Sequence, residues 1–281
     1  MDGSSRFWRQ RAEDVPCRLK NAGNEWDMNS AADECGGGKP PRRAKKLLVE
    51  GRLDYSCAQQ LATHKAAGML VLYRVGAPLS TALSRCPVAV AGTRSPTPRG
   101  GRLAREVGRR LAEVGYTVVT GLARSIDEEA ALSALETGGR VVAVLPYLLE
   151  KDGRLNWRAA WLLRVAASHN TLASVVAENP IKDGGYVRTW LATRNRIIAR
   201  LAAALIVPET RFKPSRWGTR HAVERALAAG RLVAVLEPRA GDGDAAEAFE
   251  CFRRRGAATA KGVEEVLTIK RLCRLSQPAE R

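Results

Sequence analysis

The chain has 281 residues and a formal net charge of +17, from 46 lysines and arginines against 29 acidic residues. That length holds one large domain or two small ones with a substantial core, and the basic balance favours a polyanionic partner, nucleic acid ahead of an acidic membrane surface. No apolar run approaches the roughly 20 residues of a membrane span and the first residues lack the apolar core of a signal peptide, so a cytoplasmic protein with no membrane partner is expected.

Residues 1–45 read as a disordered or loosely ordered basic segment. It closes on Cys35-Gly36-Gly37-Gly38-Lys39-Pro40-Pro41-Arg42-Arg43, a linker-like composition. A phosphate-binding Walker loop needs Ser or Thr after the lysine, and Pro40 stands there. Residues 46–86 are expected to form a helical lead-in, with a helix over 46–67 that presents Leu47, Leu48, Leu53 and Leu61, and a first strand at Met69–Tyr73. A Rossmann-like domain then runs over 87–272, with a tail at 273–281. The six cysteines (Cys17, Cys35, Cys57, Cys86, Cys251, Cys273) form no CxxC pair and have no histidine at metal spacing. They read as reduced thiols with no metal site.

From residue 87 short runs rich in Val, Ile, Leu and Ala alternate with helical patterns. Strands are predicted near Val88–Ala91, Tyr116–Thr120, Val141–Leu145, Leu172–Ala177, Ala204–Val207 and Leu232–Leu236. Helices are predicted over 98–114, 126–137, 156–168, about 193–201, 218–229, 244–254 and 263–272. Such alternation means an α/β fold, a doubly wound and mostly parallel sheet flanked by helices. Ligands in these sheets bind beyond the carboxyl ends of the strands, where the strand order reverses. The loops that follow the strands are therefore the places to search.

The first loop is Val88-Ala89-Val90-Ala91-Gly92-Thr93-Arg94-Ser95-Pro96-Thr97-Pro98. Thr97 reads as a helix cap and Pro98 as the first helical residue. The free N–H groups of that helix end, with Arg94 beside them, suit an anion. A single glycine is not the dinucleotide fingerprint, and an ordinary turn with a solvated arginine is the plain alternative. In the second loop, Gly121-Leu122-Ala123-Arg124-Ser125-Ile126-Asp127-Glu128, Ser125 and Glu128 have capping-box spacing. Asp127 suits either the helix dipole or a ligand.

After the strand at 172–177 come Glu178-Asn179-Pro180 and Asp183-Gly184-Gly185-Tyr186, then Thr193-Arg194-Asn195-Arg196. With Thr193 as cap, both arginines oppose the helix dipole unless an anion is bound. The alternatives are a helix that begins near Val187, or pairing of the arginines with Glu178 or Asp183. The last loop interleaves cations with aromatics from Arg211 to Arg220, a pattern suited to single-stranded nucleic acid. Tyr186, Trp190 and Trp217 are candidate stacking residues, and packing onto the sheet is at least as good a reading of Trp190 and Trp217. Neither a nucleophile–base pair nor paired carboxylates emerge, so a non-enzymatic role is expected.

Val90-Ala91-Gly92-Thr93-Arg94-Ser95-Pro96-Thr97, Gly121-Leu122-Ala123-Arg124 with Ile126-Asp127, Arg194-Asn195-Arg196-Ile197-Ile198-Ala199, and Gly218 followed by Ala228-Ala229-Gly230-Arg231 together resemble the DprA/Smf family of DNA-processing proteins. The resemblance covers roughly residues 68–272. It implies a Rossmann-like fold without a nucleotide cofactor, single-stranded DNA bound in a basic pocket, delivery to a RecA-type recombinase, and homodimerisation. Carried over by position, the DNA-binding set is Gly92, Thr93, Arg94 and Ser95; Gly121, Arg124, Ser125 and Asp127; Arg194, Asn195 and Arg196; and Gly218 with Thr219. The chain departs from the family pattern at Ser125, where a glycine is usual, at Ala131, where a histidine falls, and at Leu191-Ala192-Thr193, which replaces an aromatic-proline step. It reads as a divergent member. The competing reading is a nucleotide-binding Rossmann-like sensor or a phosphoribohydrolase-like protein for a small phosphorylated ligand, although Gly184-Gly185 lacks the flanking residues of those enzymes.

Overall fold

The short apolar runs become strands buried on both faces, and that dictates a layered architecture. In the strand Pro87–Val90, Val88 and Val90 point to one side and Ala89 to the other, and all three are inaccessible to solvent. Successive side chains of a strand alternate faces, so both faces of this sheet must be covered by helices.

The computed structural model describes residues 59–63, 70–182, 187–212 and 218–268. Its main sheet has nine strands: β1 (Gln59–Thr63), β2 (Leu70–Gly76), β3 (Pro87–Val90), β4 (Thr117–Thr120), β5 (Arg140–Val144), β7 (Leu172–Ala177), β9 (Ala204–Val207), β10 (Leu232–Leu236) and β11 (Ala258–Ala260). Two three-residue strands, β6 (Tyr147–Leu149) and β8 (Asn179–Ile181), form a separate parallel pair. The order across the main sheet is β1-β2-β7-β5-β4-β3-β9-β10-β11. Only the β1–β2 and β2–β7 pairings are antiparallel. From β3 the chain winds one way through β4, β5 and β7, then returns to β9 on the other side of β3. The reversal lies between β3 and β9, and their carboxyl ends open a crevice there.

The helices are α1 (Leu79–Ala82), α2 (Pro98–Glu113), α3 (Ile126–Glu136), α4 (Trp157–Ser168), α5 (Val187–Leu201), α6 (Gly218–Ala228), α7 (Gly243–Arg254) and α8 (Val263–Thr268). Residues of α2, α3, α4 and α8 share one core with Val88, Val90, Val118 and Val141. Residues of α1, α5, α6 and α7 share the other with Ala89, Val119 and Val142. The fold is a doubly wound, mostly parallel α/β sandwich, as the alternating sequence pattern predicts.

Three expectations are corrected. The expected helix over 46–67 is a strand at Gln59–Thr63, paired with β2 from Gln59 opposite Arg74 to Thr63 opposite Leu70; the rest of that span lies outside the described residues. The edge of β2 supplies backbone partners that no single-residue propensity anticipates. The helix predicted from about 193 begins at Val187, so Thr193 is not a cap and Arg194 and Arg196 lie within the helix. Finally, Cys86 is disulfide-bonded, not reduced. Its partner is outside the described residues, and spacing along the chain carries no information on which distant cysteines meet.

Candidate functional site

The loops after β3 and β4 are built to touch each other. Gly92 is hemmed in by Ile126 of α3 and by the Glu209 carbonyl, which a β-carbon would meet at 2.6 and 2.8 Å. Thr93, buried, donates its N–H to the Glu209 carbonyl at 3.0 Å. Its hydroxyl oxygen accepts from the Ser95 N–H at 3.2 Å. Arg94 stands exposed at the turn, and its carbonyl accepts a hydrogen bond from the Ser125 hydroxyl at 3.3 Å. The capping box at the start of α3 forms, with Glu128 accepting from the Ser125 N–H at 3.3 Å. Both Leu122 and Ser125 have left-handed backbone conformations, with φ of 46° and 75°. Such residues store strain unless they are glycine.

The anion expected at the start of α2 is supplied by the chain itself. Glu209, just after β9 and buried, accepts from the Thr97 N–H at 2.8 Å and from the Thr97 hydroxyl at 2.5 Å. Thr97 in turn caps the helix by accepting from the Gly100 N–H at 3.0 Å. With a carboxylate already at this dipole, an incoming anion is left with Arg94 and not with the α2 N–H groups.

Beneath the two loops lies Asp127, 2% exposed. Its carboxylate accepts from the Ala123 N–H at 3.2 Å and is hydrogen-bonded by the Gly92 N–H and the Thr120 hydroxyl. Burial pushes its pKa up, and the positive charge of Arg194 opposes that shift. Arg194 approaches from α5 and acts on Asp127 through its charge. The guanidinium donates to the Gly121 carbonyl at 2.8 Å and to the Asn195 side-chain oxygen at 3.1 and 3.3 Å. Burial lowers the Arg194 pKa, Asp127 counters it, and the positive charges of Arg94 and Arg158 lower it further. Gly121 is what makes the approach feasible, since a β-carbon there would sit 2.0 Å from Nη1.

A further arginine completes the cluster and was not singled out from the sequence. Arg158 lies in the first turn of α4, whose Asn156 cap accepts the Arg158 N–H at 3.0 Å. Its side chain faces Glu128 at 3.9 Å. Burial lowers its pKa, Glu128 opposes the shift, and Arg94 and Arg124 reinforce it. Arg94, Arg124, Arg158 and Arg194 thus crowd the carboxyl edge of the sheet, with Asp127 and Glu128 as the buried counter-charges. Burial raises the Glu128 pKa to about 7, despite its bond to the Ser125 N–H and the nearby Arg158.

Not every expected residue joins. Asn195 is buried and orients Arg194. Arg196, two positions along, projects about 200° away around the helix axis, is exposed, and donates to the Thr193 hydroxyl of its own helix at 3.0 Å. Glu178 is exposed, and the counter-charge of Arg194 is Asp127 instead. Gly218 and the buried Thr219 open α6, and a β-carbon on Gly218 would meet nothing within 4 Å among the described residues. Trp190 packs edge-on against Tyr147, with ring centroids 6.1 Å apart, which favours the packing reading. Asp183, Tyr186 and Trp217 lie outside the described residues. No group of three or more potential metal ligands occurs among the described residues. Chemically, the cluster offers planar guanidiniums that hold the paired oxygens of phosphates.

A family model described as DNA recombination-mediator protein A matches residues 52–270. The chain belongs to that family. Within the DNA recombination-mediator protein A family, the chain is 34% identical to Protein Smf of Synechocystis over 122 residues, 43% of this chain and 29% of that protein. It is 32% identical to DNA processing protein DprA of Streptococcus pneumoniae over 151 residues, 53% and 49% of the two chains. The chain thus spans less than half the length of these relatives. Among solved structures, DprA from Streptococcus pneumoniae matches with TM-score 0.57 at 27% identity, over 70% of this chain and 65% of that one. DNA processing protein A from Helicobacter pylori, described for its single-stranded DNA binding mode, shares the fold with TM-score 0.60 at 20% identity, over 74% and 93%. No helix among the described residues is long and apolar enough to cross a membrane.

Proposed function

We propose that the protein binds single-stranded DNA at the carboxyl edge of its sheet and delivers it to a RecA-type recombinase, acting as a mediator and not as a catalyst. The observation that carries this reading is the convergence of Arg94, Arg124, Arg158 and Arg194 from separate segments onto one site. A cluster of like charges repels itself, and here two buried carboxylates offset four guanidiniums. The remaining positive charge suits a run of phosphates better than one small anion. Family membership supports the link to recombination, and the Helicobacter relative supports the preference for single strands. Homodimerisation and the recombinase contact rest on the family alone.

A small-nucleotide pocket is the less supported reading. The cavity beside Glu209, lined also by Thr97, Arg99, Arg102, Arg239 and Asp242, holds about 170 Å³. Pockets for such ligands run from about 300 Å³ upward, so this one is too small for a nucleotide. A gel-shift series with single-stranded DNA, duplex DNA and a mononucleotide on the full chain tests the proposal. Single strands should bind best. The log–log salt slope should be about −3 for four phosphates, at roughly −0.7 per phosphate. Equal affinity for single strands and duplex, or a salt-independent affinity, would overturn it.

A further inference from the structure

The indole of Trp157 is unusual for its place. It is the first residue of α4 and is 53% exposed, one of two large hydrophobic side chains so exposed among the described residues. A tryptophan loses most by facing water, because it carries the largest apolar surface. This one covers nothing in the core. It is nevertheless held in place, with the Arg158 guanidinium over the ring at 4.3 Å from its centroid, a cation–π distance. The same Arg158 has a buried Nε without a hydrogen-bond partner, and its nearest carboxylate is 3.9 Å away. Its charge, together with that of Arg94, is felt by Arg194.

The indole also borders an open groove of about 630 Å³, lined by Lys151, Arg154, Leu155 and Lys182 with Glu150 and Asp152. There Lys182 pairs with Glu150 at 3.1 Å and Arg154 with Asp152 at 2.5 Å. The ring therefore stands between the arginine cluster and a second, flatter surface whose cations outnumber its carboxylates. A guanidinium on one face leaves the other face for a flat aromatic partner. Stacking of this kind needs an unpaired base, because the bases of a duplex are already stacked on each other.

We infer that Trp157, backed by Arg158, is a base-stacking step at the rim of the arginine cluster, engaging a nucleobase of the strand whose phosphates that cluster holds. The inference rests on the single-stranded DNA reading above and adds to it a contact that reads bases and not phosphates. Duplex rejection then has a physical source beyond charge: the platform is idle when no base is free to leave its stack.

The test separates bases from phosphates. Fluorescence anisotropy measures binding of the full-length wild type, Trp157→Ala and Trp157→Phe to oligo-dT and to the matching abasic oligomer, which carries the same phosphates. The wild type should prefer oligo-dT about tenfold, as expected for one stacked base. Trp157→Ala should bind both oligomers equally, with its affinity for the abasic one unchanged, and Trp157→Phe should keep most of the preference. A Trp157→Ala variant that prefers oligo-dT as strongly as the wild type overturns the inference while leaving single-strand binding intact; a docking surface for a protein partner would give that result. A wild type without preference also overturns it, and a wild type that binds neither oligomer overturns the parent reading with it.

Discussion

Gly121 and Arg194 lie 73 positions apart, yet the guanidinium rests against the glycine so closely that a β-carbon would sit 2.0 Å from Nη1 and 2.4 Å from Cζ. The glycine is required here by space and not by backbone angle, because it lies outside the left-handed conformations. Gly121→Ala should therefore act through Arg194. The side chain must leave the Gly121 carbonyl, with a cost of about 1–3 kcal/mol. Binding of single-stranded DNA should fall as in Arg194→Ala. Gly218→Ala, with nothing within 4 Å among the described residues, is the matched control and should leave binding within twofold. Chemical denaturation and single-strand titration of the two variants check this.

Removing Arg194 leaves Asp127 buried without its counter-charge. An unpaired buried charge is strongly destabilising, so Arg194→Ala should lose about 2 kcal/mol of stability as well as affinity. The bare charge pattern, with Arg194 set against a helix dipole, would have this variant neutral or slightly stabilised. The difference comes from Asp127, which sits on another element. Adding Asp127→Asn should restore part of the stability and none of the binding. If Arg194→Ala is destabilised but binds single strands normally, the pocket assignment fails.

Glu128 gives the site a pH response. Its pKa is raised from 4.5 to about 7 by burial, with the Ser125 N–H, Arg158 and Arg124 opposing and Asp127 adding to the rise. The folded protein thus holds this proton more tightly than the unfolded chain. That contribution to stability is fully present below about pH 4.5 and is lost as pH rises through about 7. A shift of this size corresponds to an effect on the order of 3 kcal/mol. Protonation also removes a negative charge from beneath Arg124 and Arg158. Single-strand affinity should rise between about pH 8 and about pH 6, and Glu128→Gln should flatten that dependence at the high-affinity level.

Ser125 holds φ at 75° and ψ at −102°, a conformation for which glycine carries no steric penalty. Relief of strain is worth roughly 1–3 kcal/mol. Against it stand the entropic cost of glycine, about 0.5–1 kcal/mol, the loss of a long hydrogen bond to the Arg94 carbonyl, and the loss of the Ser125 side chain's part in the capping box, a few tenths of a kcal/mol for a cap replaced by glycine. Ser125→Gly should come out near 1 kcal/mol more stable, raising Tm by about 2–4 °C in a chain of this size. A lower Tm would mean that the Ser125–Arg94 bond outweighs the strain.

The strands most legible in the sequence were the short runs dominated by apolar residues. β7, β9 and β10 fall on the predicted residues, because a buried parallel strand is a continuous apolar run. The pair β6–β8 carried no such signal; Tyr147-Leu148-Leu149 and Asn179-Pro180-Ile181 become strands only because two loops meet beyond the sheet. The site divides in a similar way. Arg94 follows a strand directly and was found by that rule. Arg194 was noticed for opposing a helix dipole, but α5 begins six residues before Thr193, and the residue that does sit in a first helical turn is Arg158. Asn156 as cap, two positions before that arginine, was the signal that would have found it. Glu209 was out of reach, since its role depends on a helix 112 positions away.

The guanidiniums stand at different depths. Arg94 is open to solvent, while Arg194 is tied down between a carbonyl and an amide oxygen before any ligand arrives. Long-range attraction belongs to the exposed charge and fades with salt, whereas a desolvated, preoriented contact resists separation. Capture and retention are therefore assigned to different residues. Arg94→Ala should slow association and weaken its salt dependence with little change in dissociation, and Arg194→Ala should shorten the lifetime of the complex. For the mediator role proposed above, in which the strand is given up, the second rate must be adjustable without losing the first, and this arrangement separates them.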